Sequence, residues 1–482
     1  MRPGLYFHAL RAARARQLRT RALRPLARLR FPGGSPPGEA GGLPAAAELW
    51  RSPAFEPGPS PAPSSRLGAF HAEYGEDVLA AARAGDVDAA QARIRRWIGE
   101  HPPRNDDAWH PYPLSTRVGN WIAALTIEPE LASPELSASL WSQLRRLEAN
   151  VEDDVLGNHV IRNARALVLG GASFGAAALT RRGIGLLRRE LAEQVLPDGG
   201  HYERSPVYHF VVLRDLLELQ AVSPHSWLGE AIERMTGFAA ALTRPDGAPA
   251  LFNDGGLDQA PRLELPPAPD GLAVFERSGF AVVREGPLWL AFRCGPLAPA
   301  FLPAHAHADA LSFQLWWDGR PIVTDAGTYT YEPGAERDWF RGTAAHSTLR
   351  VGGRDQFRLW GAFRSGPLPE VNLRYASEGA LEASVRLGRR VRHVRRIEWS
   401  GDEIVVHDRV DGSGKRRIES RLLLAPGAEG LVELAFYGPG ERTEEPGWVS
   451  ERFGERVETR VPTLRTRLAL PAELGLRIRC LQ

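Results

Sequence analysis

The sequence predicts an α+β multidomain protein, in which a helical N-terminal unit precedes a C-terminal antiparallel β-sandwich. Two observations lead to this prediction. Residues 67–262 repeat the apolar spacing of amphipathic helices, interrupted only by short turns. After residue 271 the pattern changes to short alternating runs separated by Asp-Gly, Gly-Gly and Ser-Gly turns, which is typical of antiparallel strands. A sandwich is the all-β architecture that suits a segment of this length.

The chain of 482 residues divides into three predicted segments, residues 1–65, 66–265 and 272–482. The first segment is basic and rich in Pro and Gly. No acid precedes Glu39, and arginines interrupt every apolar run, so we expect no ordinary secretory signal. We interpret this start as a basic amphipathic helix docked on the helical unit or as a frayed tail. A helix that binds an anionic partner or a membrane surface is the alternative.

Composition narrows the classes of function. A net charge of +2 at pH 7 does not predict nucleic-acid binding. The longest uncharged apolar stretch, residues 166–180, is too short and too rich in glycine for a transmembrane helix. Cys294 and Cys480 lie far apart and in no metal-binding spacing, so we expect free buried thiols rather than a disulfide.

Within the helical unit, several helices have clear sequence signals. Ser133 and Pro134 are expected as the N-cap and first residue of one helix. Another helix carries an apolar stripe formed by Val160, Ala164, Leu167, Val168 and Gly171. Helix after helix joined by short turns indicates a bundle or a toroid of helix pairs.

Two of the helix starts carry side chains suited to acid–base chemistry. Asn158 and His159 open the helix with the apolar stripe, where Asn158 could equally serve as the N-cap. Ser205 and Pro206 begin another helix, which puts Tyr208 in its first turn. We expect the positive end of the helix dipole to favour a tyrosinate there, since tyrosine is otherwise a poor base. A packed tyrosine with a hydrogen-bonded hydroxyl is the alternative.

The stretch HAHADALSF combines two histidines and an acid within five residues. If it is extended, His305, His307 and Asp309 share one face. His307 also forms, with Asp325 and His346, a His–Asp–His set of the kind that binds Zn²⁺.

Strand register argues against that metal set. A hairpin that turns at Asp318 and Gly319 pairs Asp325 with Ser312 rather than with His307. The three ligands meet only if HAHAD bends back over the sheet, or if a β-bulge shifts the register.

Taken together, these clusters resemble the heparinase II/III-like polysaccharide lyases. The resemblance rests on five stretches in the family's order, between roughly residues 105 and 360. They are WHPYPLSTRVGNWI, GNHVIRNARALVLGG, DGGHYERSPVYHFVVLRDLLEL, HAHADALSFQLWWDGRPIVTDAGTYTY and RDWFRGTAAHSTLRVGGRDQ.

The resemblance implies an incomplete (α/α) toroid before the sandwich, and β-elimination on a uronic-acid-containing polysaccharide. Asn158 and His159 match the positions that neutralise the uronate carboxylate. Tyr208 and His305 match the acid–base positions, and which of them is the base depends on uronate stereochemistry. The product would carry a 4,5-unsaturated uronate end.

The resemblance also implies a metal and a substrate cleft. His307, Asp325 and His346 match a family metal site, usually zinc, that is structural and orients the loop bearing His305. The candidates for lining the sugar cleft are Trp109, Arg117, Asn120, Tyr202, Arg204, Tyr329 and Arg341, although such side chains are also common packing groups.

The implied partner is an anionic polysaccharide, with a homodimer as the candidate assembly and neither nucleic acid nor a transmembrane segment expected. Bacterial lyases of this kind are periplasmic, and the missing signal pattern makes the cytoplasm the alternative. Other functions considered are a uronyl C5-epimerase, a glycoside hydrolase and a non-catalytic carbohydrate-binding or exopolysaccharide assembly protein. A hydrolase would need two carboxylates about 5–10 Å apart, whereas these clusters are built from His, Tyr and Asn.

Overall fold

The computed structural model describes residues 3–53 and 65–481. Its α-helices are α1 (Pro3–Ala12), α2 (Ala15–Arg28), α3 (Ala47–Arg51), α4 (Arg66–His71), α5 (Glu76–Arg83), α6 (Val87–Glu100), α7 (Pro111–Ile127), α8 (Pro134–Glu148), α9 (Asn158–Ser173), α10 (Ala177–Gln194), α11 (Pro206–Val222), α12 (Ser226–Ala241) and α13 (Ala335–Arg341).

The strands all follow α12. They are β1 (Gly271–Phe275), β2 (Phe280–Glu285), β3 (Leu288–Arg293), β4 (Phe313–Trp317), β5 (Arg320–Val323), β6 (Leu349–Val351), β7 (Leu359–Trp360), β8 (Arg364–Ser365), β9 (Val371–Ser377), β10 (Ala380–Leu387), β11 (Val391–Ser400), β12 (Glu403–Asp411), β13 (Lys415–Arg421), β14 (Val432–Tyr437), β15 (Glu441–Arg452), β16 (Glu455–Ala469) and β17 (Ala472–Cys480).

Helices α5 to α12 form two layers, as a toroid of helix pairs requires. The inner helices α5, α7, α9 and α11 contact one another in sequence, and each packs on the outer helix that follows it. Because every outer helix runs antiparallel to the inner helix before it, the inner helices run parallel to one another and their N-termini lie at the same end. The apolar stripe predicted for α9 is buried, and Ser133 caps α8 by accepting from the Leu136 amide. The predicted toroid is confirmed.

The C-terminal part is an antiparallel sandwich with two main layers. A five-stranded sheet in the order β1-β2-β3-β4-β5 faces a six-stranded sheet in the order β14-β17-β12-β11-β10-β9. Apolar side chains of both sheets, such as Leu290 and Ile397, share one core. The other face of the five-stranded sheet packs on the helical unit, where Phe280 and Trp289 contact Phe238 and Phe252. This explains why β2 and β3 read as continuous apolar runs.

A smaller four-stranded sheet, β15-β16-β13-β6, and a two-stranded sheet, β7-β8, extend the sandwich. The four-stranded sheet packs on one end of the six-stranded sheet through Leu349, Ile418 and Leu464. Cys294 and Cys480 are both buried and unpaired, as predicted.

The N-terminal helix α2 docks on the rest of the protein, as one interpretation of the basic start predicts. Arg16 pairs with Glu190 of α10 at 2.6 Å, and Gln17 donates to the Phe301 carbonyl at 3.5 Å. Arg146 of α8 donates to the Arg30 carbonyl at 2.6 Å. None of the helices in the described ranges combines the length and the apolar character that a membrane span requires.

Candidate active site

The candidate residues meet where the inner helices begin and the β-sandwich loops cover them. Tyr112 of α7 lies against His159 of α9, with ring centroids 4.3 Å apart. Tyr208 of α11 lies against His305 of the β unit, with ring centroids 4.8 Å apart. Tyr112 and Tyr208 both line a small cavity of about 50 Å³. The two units of the protein therefore build one site between them.

The start of α9 differs from the expected cap. Gly157, with φ of 64°, is the N-cap, and Asn158 is the first helical residue. A Cβ at Gly157 would lie 1.7 Å from the Glu203 carboxylate, so glycine is the residue that fits. The Asn158 side-chain oxygen is buried and has no hydrogen-bond partner within the described residues. The Asn158 side chain therefore has no capping function.

His159 is held by an acid that the sequence did not reveal. Its Nδ1–H donates to Glu152 at 3.1 Å. Burial favours the neutral ring, but the Glu152 carboxylate outweighs it and raises the pKa of His159. Burial also opposes the Glu152 charge, yet His159, His110 and Arg24 lower the pKa of Glu152 to about 2. This environment favours a cationic imidazole and an ionised carboxylate.

Tyr208 lies where the helix signal put it, but its predicted ionisation is wrong. Ser205 caps α11, and its hydroxyl accepts from the Tyr208 amide at 3.2 Å. The Tyr208 hydroxyl is hydrogen-bonded to the Tyr331 hydroxyl. Burial, with smaller contributions from Tyr331 and Asp254, raises the pKa of Tyr208 well above its usual value. The raised pKa favours the protonated phenol, which is suited to act as an acid.

Asp254, which lies outside the motifs, links the two histidines of HAHAD. His305 Nδ1 lies 3.0 Å from one carboxylate oxygen, and His307 Nε2 lies 2.9 Å from the other. Arg337 donates to both oxygens of Asp254. Burial opposes the carboxylate charge, but Arg337 and both histidines hold the pKa of Asp254 well below its usual range. Asp254 is thus an ionised acceptor that fixes both rings.

HAHAD is not a β-strand, so the expectation of an extended segment is wrong. The segment follows turns and irregular backbone, and Leu311 has a left-handed φ of 63°. His305 faces the cleft beside Tyr208. Asp309 instead lies in the interior, 3.8 Å from the Arg293 guanidinium. The predicted shared face therefore does not hold for His305 and Asp309, whereas His305 and His307 both contact Asp254.

The bend and a bulge bring the metal set together despite the register objection. The pairing of β4 with β5 shifts between Leu315 and Trp316, as a β-bulge does. His307, Asp325 and His346 are buried, and one candidate ligand atom from each lies within 4.8 Å of the others. His307 Nδ1 and His346 Nε2 are buried without a hydrogen-bond partner in the described ranges. Two imidazoles and a carboxylate are a donor set that suits a divalent metal.

Four of the residues predicted to line the sugar cleft face the protein interior, which corrects that expectation. Trp109 is 3% exposed and donates to the His101 carbonyl, and Arg117 is fully buried against backbone carbonyls. The Tyr202 hydroxyl accepts from the Gly157 amide at 2.9 Å. Arg341 is fully buried and donates to the Ala306 carbonyl, between the two histidines of HAHAD. These four side chains hydrogen-bond to the protein backbone and do not line the cleft.

The other three predicted cleft residues are half-buried. Asn120 donates to the Tyr74 carbonyl at 2.9 Å. Arg204 donates to the Tyr202 carbonyl, and the Tyr329 ring stacks on Phe340 with centroids 5.8 Å apart. Their substrate contacts stay predictions.

The cavity beside Tyr208 contains two arginines that sequence reasoning missed, Arg162 and Arg214. Arg162 pairs with the buried Asp215 at 2.9 Å. The N-termini of α7, α9 and α11 add partial positive charge at the same end of the toroid. Glu76 and Asp258 line the same cavity, so its side chains carry charges of both signs.

The known proteins that are similar in sequence to this chain include heparin-sulfate lyases and a protein named for its localization with FtsZ. A heparin-sulfate lyase of Bacteroides stercoris is 25% identical over 425 residues, which cover 73% of this chain and 61% of that protein. FtsZ-localized protein C of Caulobacter vibrioides is 26% identical over 280 residues, covering 55% of this chain and 48% of that protein. The chain thus spans less than two thirds of the length of these relatives.

Among solved structures, a crystal structure of heparinase III superposes with a TM-score of 0.73 at 18% identity. The superposition covers 88% of this chain and 78% of that one. The similarity shows that the helical toroid followed by a sandwich is a shared fold.

Family models match both units of the protein. The heparinase II/III N-terminus model matches residues 87–264, and the heparinase II/III-like C-terminal model matches residues 267–461. Because these matches cover most of the sequence, the resemblance seen in the motifs is confirmed, and the chain belongs to the heparinase II/III family.

Proposed function

We propose that this protein is a polysaccharide lyase that cleaves a uronic-acid-containing glycosaminoglycan by β-elimination. The single observation that carries the proposal is the pairing of Tyr208 with His305, whose ring centroids lie 4.8 Å apart in a shared cleft. A protonated phenol beside an oriented imidazole supplies the acid and the base that elimination needs. Family membership and the heparin-sulfate lyase relatives support the same reaction.

The first requirement of the reaction is to make the uronate C5 proton acidic. That proton is weakly acidic while the neighbouring carboxylate carries its full charge. We assign neutralisation of this charge to Asn158 and His159 at the start of α9. The raised pKa of His159, which Glu152 causes against the effect of burial, favours the imidazolium, a stronger partner for a carboxylate than a neutral ring.

The second requirement is two proton transfers. When His305 donates Nδ1–H to Asp254, its Nε2 keeps a lone pair that can take the C5 proton. The electrons of the C5–H bond then form the C4=C5 double bond, and the C4–O4 bond breaks. Tyr208 gives its hydroxyl proton to the departing O4. Where C5–H and O4 lie on one side of the sugar, Tyr208 could serve both transfers.

We also assign zinc to the cluster of His307, Asp325 and His346. Two orphaned imidazole nitrogens beside a carboxylate support this assignment. When bound, the ion would neutralise buried charge and cross-link two loops. Its role would be structural. His307 and His305 share the Asp254 carboxylate, so an ion that holds His307 would also help to position the proposed base.

We further propose domain limits of residues 66–265 and 272–482, supported by the separate apolar clusters of the helices and the sandwich. A homodimer and a periplasmic location stay predictions, which size-exclusion chromatography and cell fractionation test.

The test of function compares the native protein with Tyr208→Phe on heparan sulfate, hyaluronate and alginate. We expect ultraviolet absorbance of the unsaturated uronate from at least one polymer, and a loss of about 10²–10⁴-fold in rate for the variant. Tyr375→Phe, which changes an exposed tyrosine of β9, is the matched control. Incorporation of water at the cut would indicate a hydrolase instead. Inversion at C5 without chain cleavage would indicate an epimerase.

A further inference from the structure

A basic groove of about 1230 Å³ lies on the β-sandwich and shares no lining residue with the candidate active site. The loop of residues 352–358, the turn between β10 and β11, and strands β13 and β16 form it. The basic residues that line it are Arg350, Arg354, Arg358, Lys415, Arg416, Arg417 and Arg467. The acid that lines it, Asp355, accepts from the Thr343 amide at 2.9 Å.

Few of these positive charges are neutralised by the protein. Glu419, beside the groove, pairs with Arg350 at 3.5 Å and with Arg417 at 2.7 Å. Four other cations are exposed and have no ion-pair partner in the part of the chain that the structure describes: Arg354, Arg358, Lys415 and Arg467. The groove therefore has an excess of cations that can accept an anionic ligand.

The register of the sheet brings two of these charges together. Arg417 of β13 lies directly opposite Arg467 of β16. Like charges at directly opposed positions destabilise a strand pair. Glu419 balances the charge of Arg417, so Arg467 is the member of this pair whose charge an anionic ligand could neutralise.

The groove floor is firmly attached to the protein. The Gln356 side chain accepts from the Ala310 amide at 2.8 Å and donates to the Ala310 carbonyl at 2.9 Å. The backbone N–H of Gln356 donates to the Thr343 hydroxyl at 3.0 Å. The loop of residues 352–358 is thus anchored at Gln356, which reduces the entropy cost of ordering its backbone on binding.

We propose that this groove is a second, non-catalytic binding site for an anionic polysaccharide chain. Its volume exceeds the roughly 300–1,000 Å³ of pockets for small molecules, which favours several sugar units over a single metabolite. Arginine forks match the geometry of carboxylates and sulfates. The choice of a polysaccharide, among polyanions, rests on the proposed lyase function. Such a site would hold a long chain while another part of it occupies the cleft.

The test measures binding of immobilised heparan sulfate and hyaluronate to the full chain, with Tyr208→Phe in every sample to prevent cleavage. The groove variant combines Arg354→Gln, Arg358→Gln, Lys415→Gln and Arg467→Gln. The control removes four exposed arginines from the helical unit and has the same net charge: Arg95→Gln, Arg181→Gln, Arg188→Gln and Arg234→Gln. The melting temperature of each variant checks folding.

We expect the groove variant to bind polysaccharide at least about tenfold more weakly at physiological salt, and the control to bind within about twofold of the parent. With Tyr208 restored, both should cleave a heparan sulfate or hyaluronate tetrasaccharide equally, because it is too short to occupy both sites. Equal binding by the groove variant and the control, or no binding by the parent, overturns the proposal. Stronger groove-dependent binding of duplex DNA overturns the ligand class. Groove-dependent binding without unsaturated product would refute the lyase function alone.

Discussion

Asp254 and His305 are hydrogen-bonded through His305 Nδ1 at 3.0 Å, although 51 positions separate them in the chain. The carboxylate is buried, and Arg337 keeps it ionised. A fixed acceptor at Nδ1 selects the tautomer with a free Nε2 lone pair, which is the form that a general base needs. The proposed base therefore depends on a residue outside every motif that the sequence displays.

Asp254→Asn should reduce the elimination rate by about 10²–10⁴-fold, because an amide can present N–H to His305 and select the wrong tautomer. The measurement is ultraviolet absorbance of the unsaturated product under saturating substrate. Arg337→Gln is the comparison, since it disrupts the same buried charge pair but leaves the His305 acceptor in place. If both variants lose activity equally, Asp254 acts only through stability. Asp246→Asn, at an exposed acid, should leave the rate unchanged.

The features that depend only on residues close together in the chain could be predicted from the sequence. Helix starts such as Ser205 and Pro206 are set by capping within three residues, so Tyr208 could be placed in the first turn. The apolar stripe of α9 likewise follows from the helical spacing of apolar residues within one segment. The family resemblance of the motifs predicts that Asn158, His159, Tyr208 and His305 share one site.

The residue roles that depend on contacts between distant segments could not be predicted from the sequence. Glu152 and Asp254 lie outside the quoted motifs, and each acquires its role only when segments distant in the chain meet. Arg337 lies within one motif, but its pairing with Asp254 likewise depends on the folded chain. The alternation in HAHAD is typical of a strand, whereas the folded segment contains a turn at its start and a bend at Ala308. The helix start at Tyr208 can be inferred from the sequence, whereas the burial that raises its pKa depends on the folded structure.

The purified protein should contain about one zinc ion per chain, measured by elemental analysis. Chelation should lower the melting temperature by roughly 5 °C or more, because a metal that binds only the folded state stabilises it. His346→Ala should abolish metal retention, and His407→Ala, at an exposed histidine, should not. A metal content near zero in a folded protein grown with added zinc would contradict the assignment.

Arg395 should be a strong determinant of stability, because it joins the sheet to both metal-bearing loops. It pairs twice with buried Asp408 and donates to the Leu311 carbonyl at 2.8 Å and the Ser347 carbonyl at 2.6 Å. Arg395→Met leaves buried Asp408 with His393 as its remaining partner and removes the hydrogen bonds to both carbonyls, so we expect a loss of about 3–5 kcal/mol in the free energy of unfolding. Urea denaturation measures it.

Arg396 is the matched control for Arg395, since successive strand residues point to opposite faces. Its pair with Glu398 is more than a third exposed, so Arg396→Met should cost no more than about 1 kcal/mol. Similar losses for the two variants would show that the buried network contributes nothing specific. Lower metal content in Arg395→Met alone would connect the network to the metal loops.

The pair of Glu152 and His159 should make stability depend on pH in a defined window. The pKa of Glu152 is lowered to about 2, so its stabilisation is complete above about pH 4.5 and is lost as pH falls toward 2. The pKa of His159 is raised, so its stabilisation is complete below about pH 6.5 and is lost as pH rises through the raised value. Both contributions are present together between about pH 4.5 and 6.5.

Glu152→Gln should therefore destabilise the protein most near pH 5.5, by on the order of 3 kcal/mol, with smaller differences at pH 3 and pH 9. Chemical denaturation of the native protein and the variant at the three pH values measures this. Subtracting the two curves removes the acid effects of other buried carboxylates, such as Asp254. Glu148→Gln, at a partly exposed acid, should give a small difference at every pH. An equal cost at all three pH values would mean that Glu152 stabilises the site by packing, and that His159 does not depend on it for its charge.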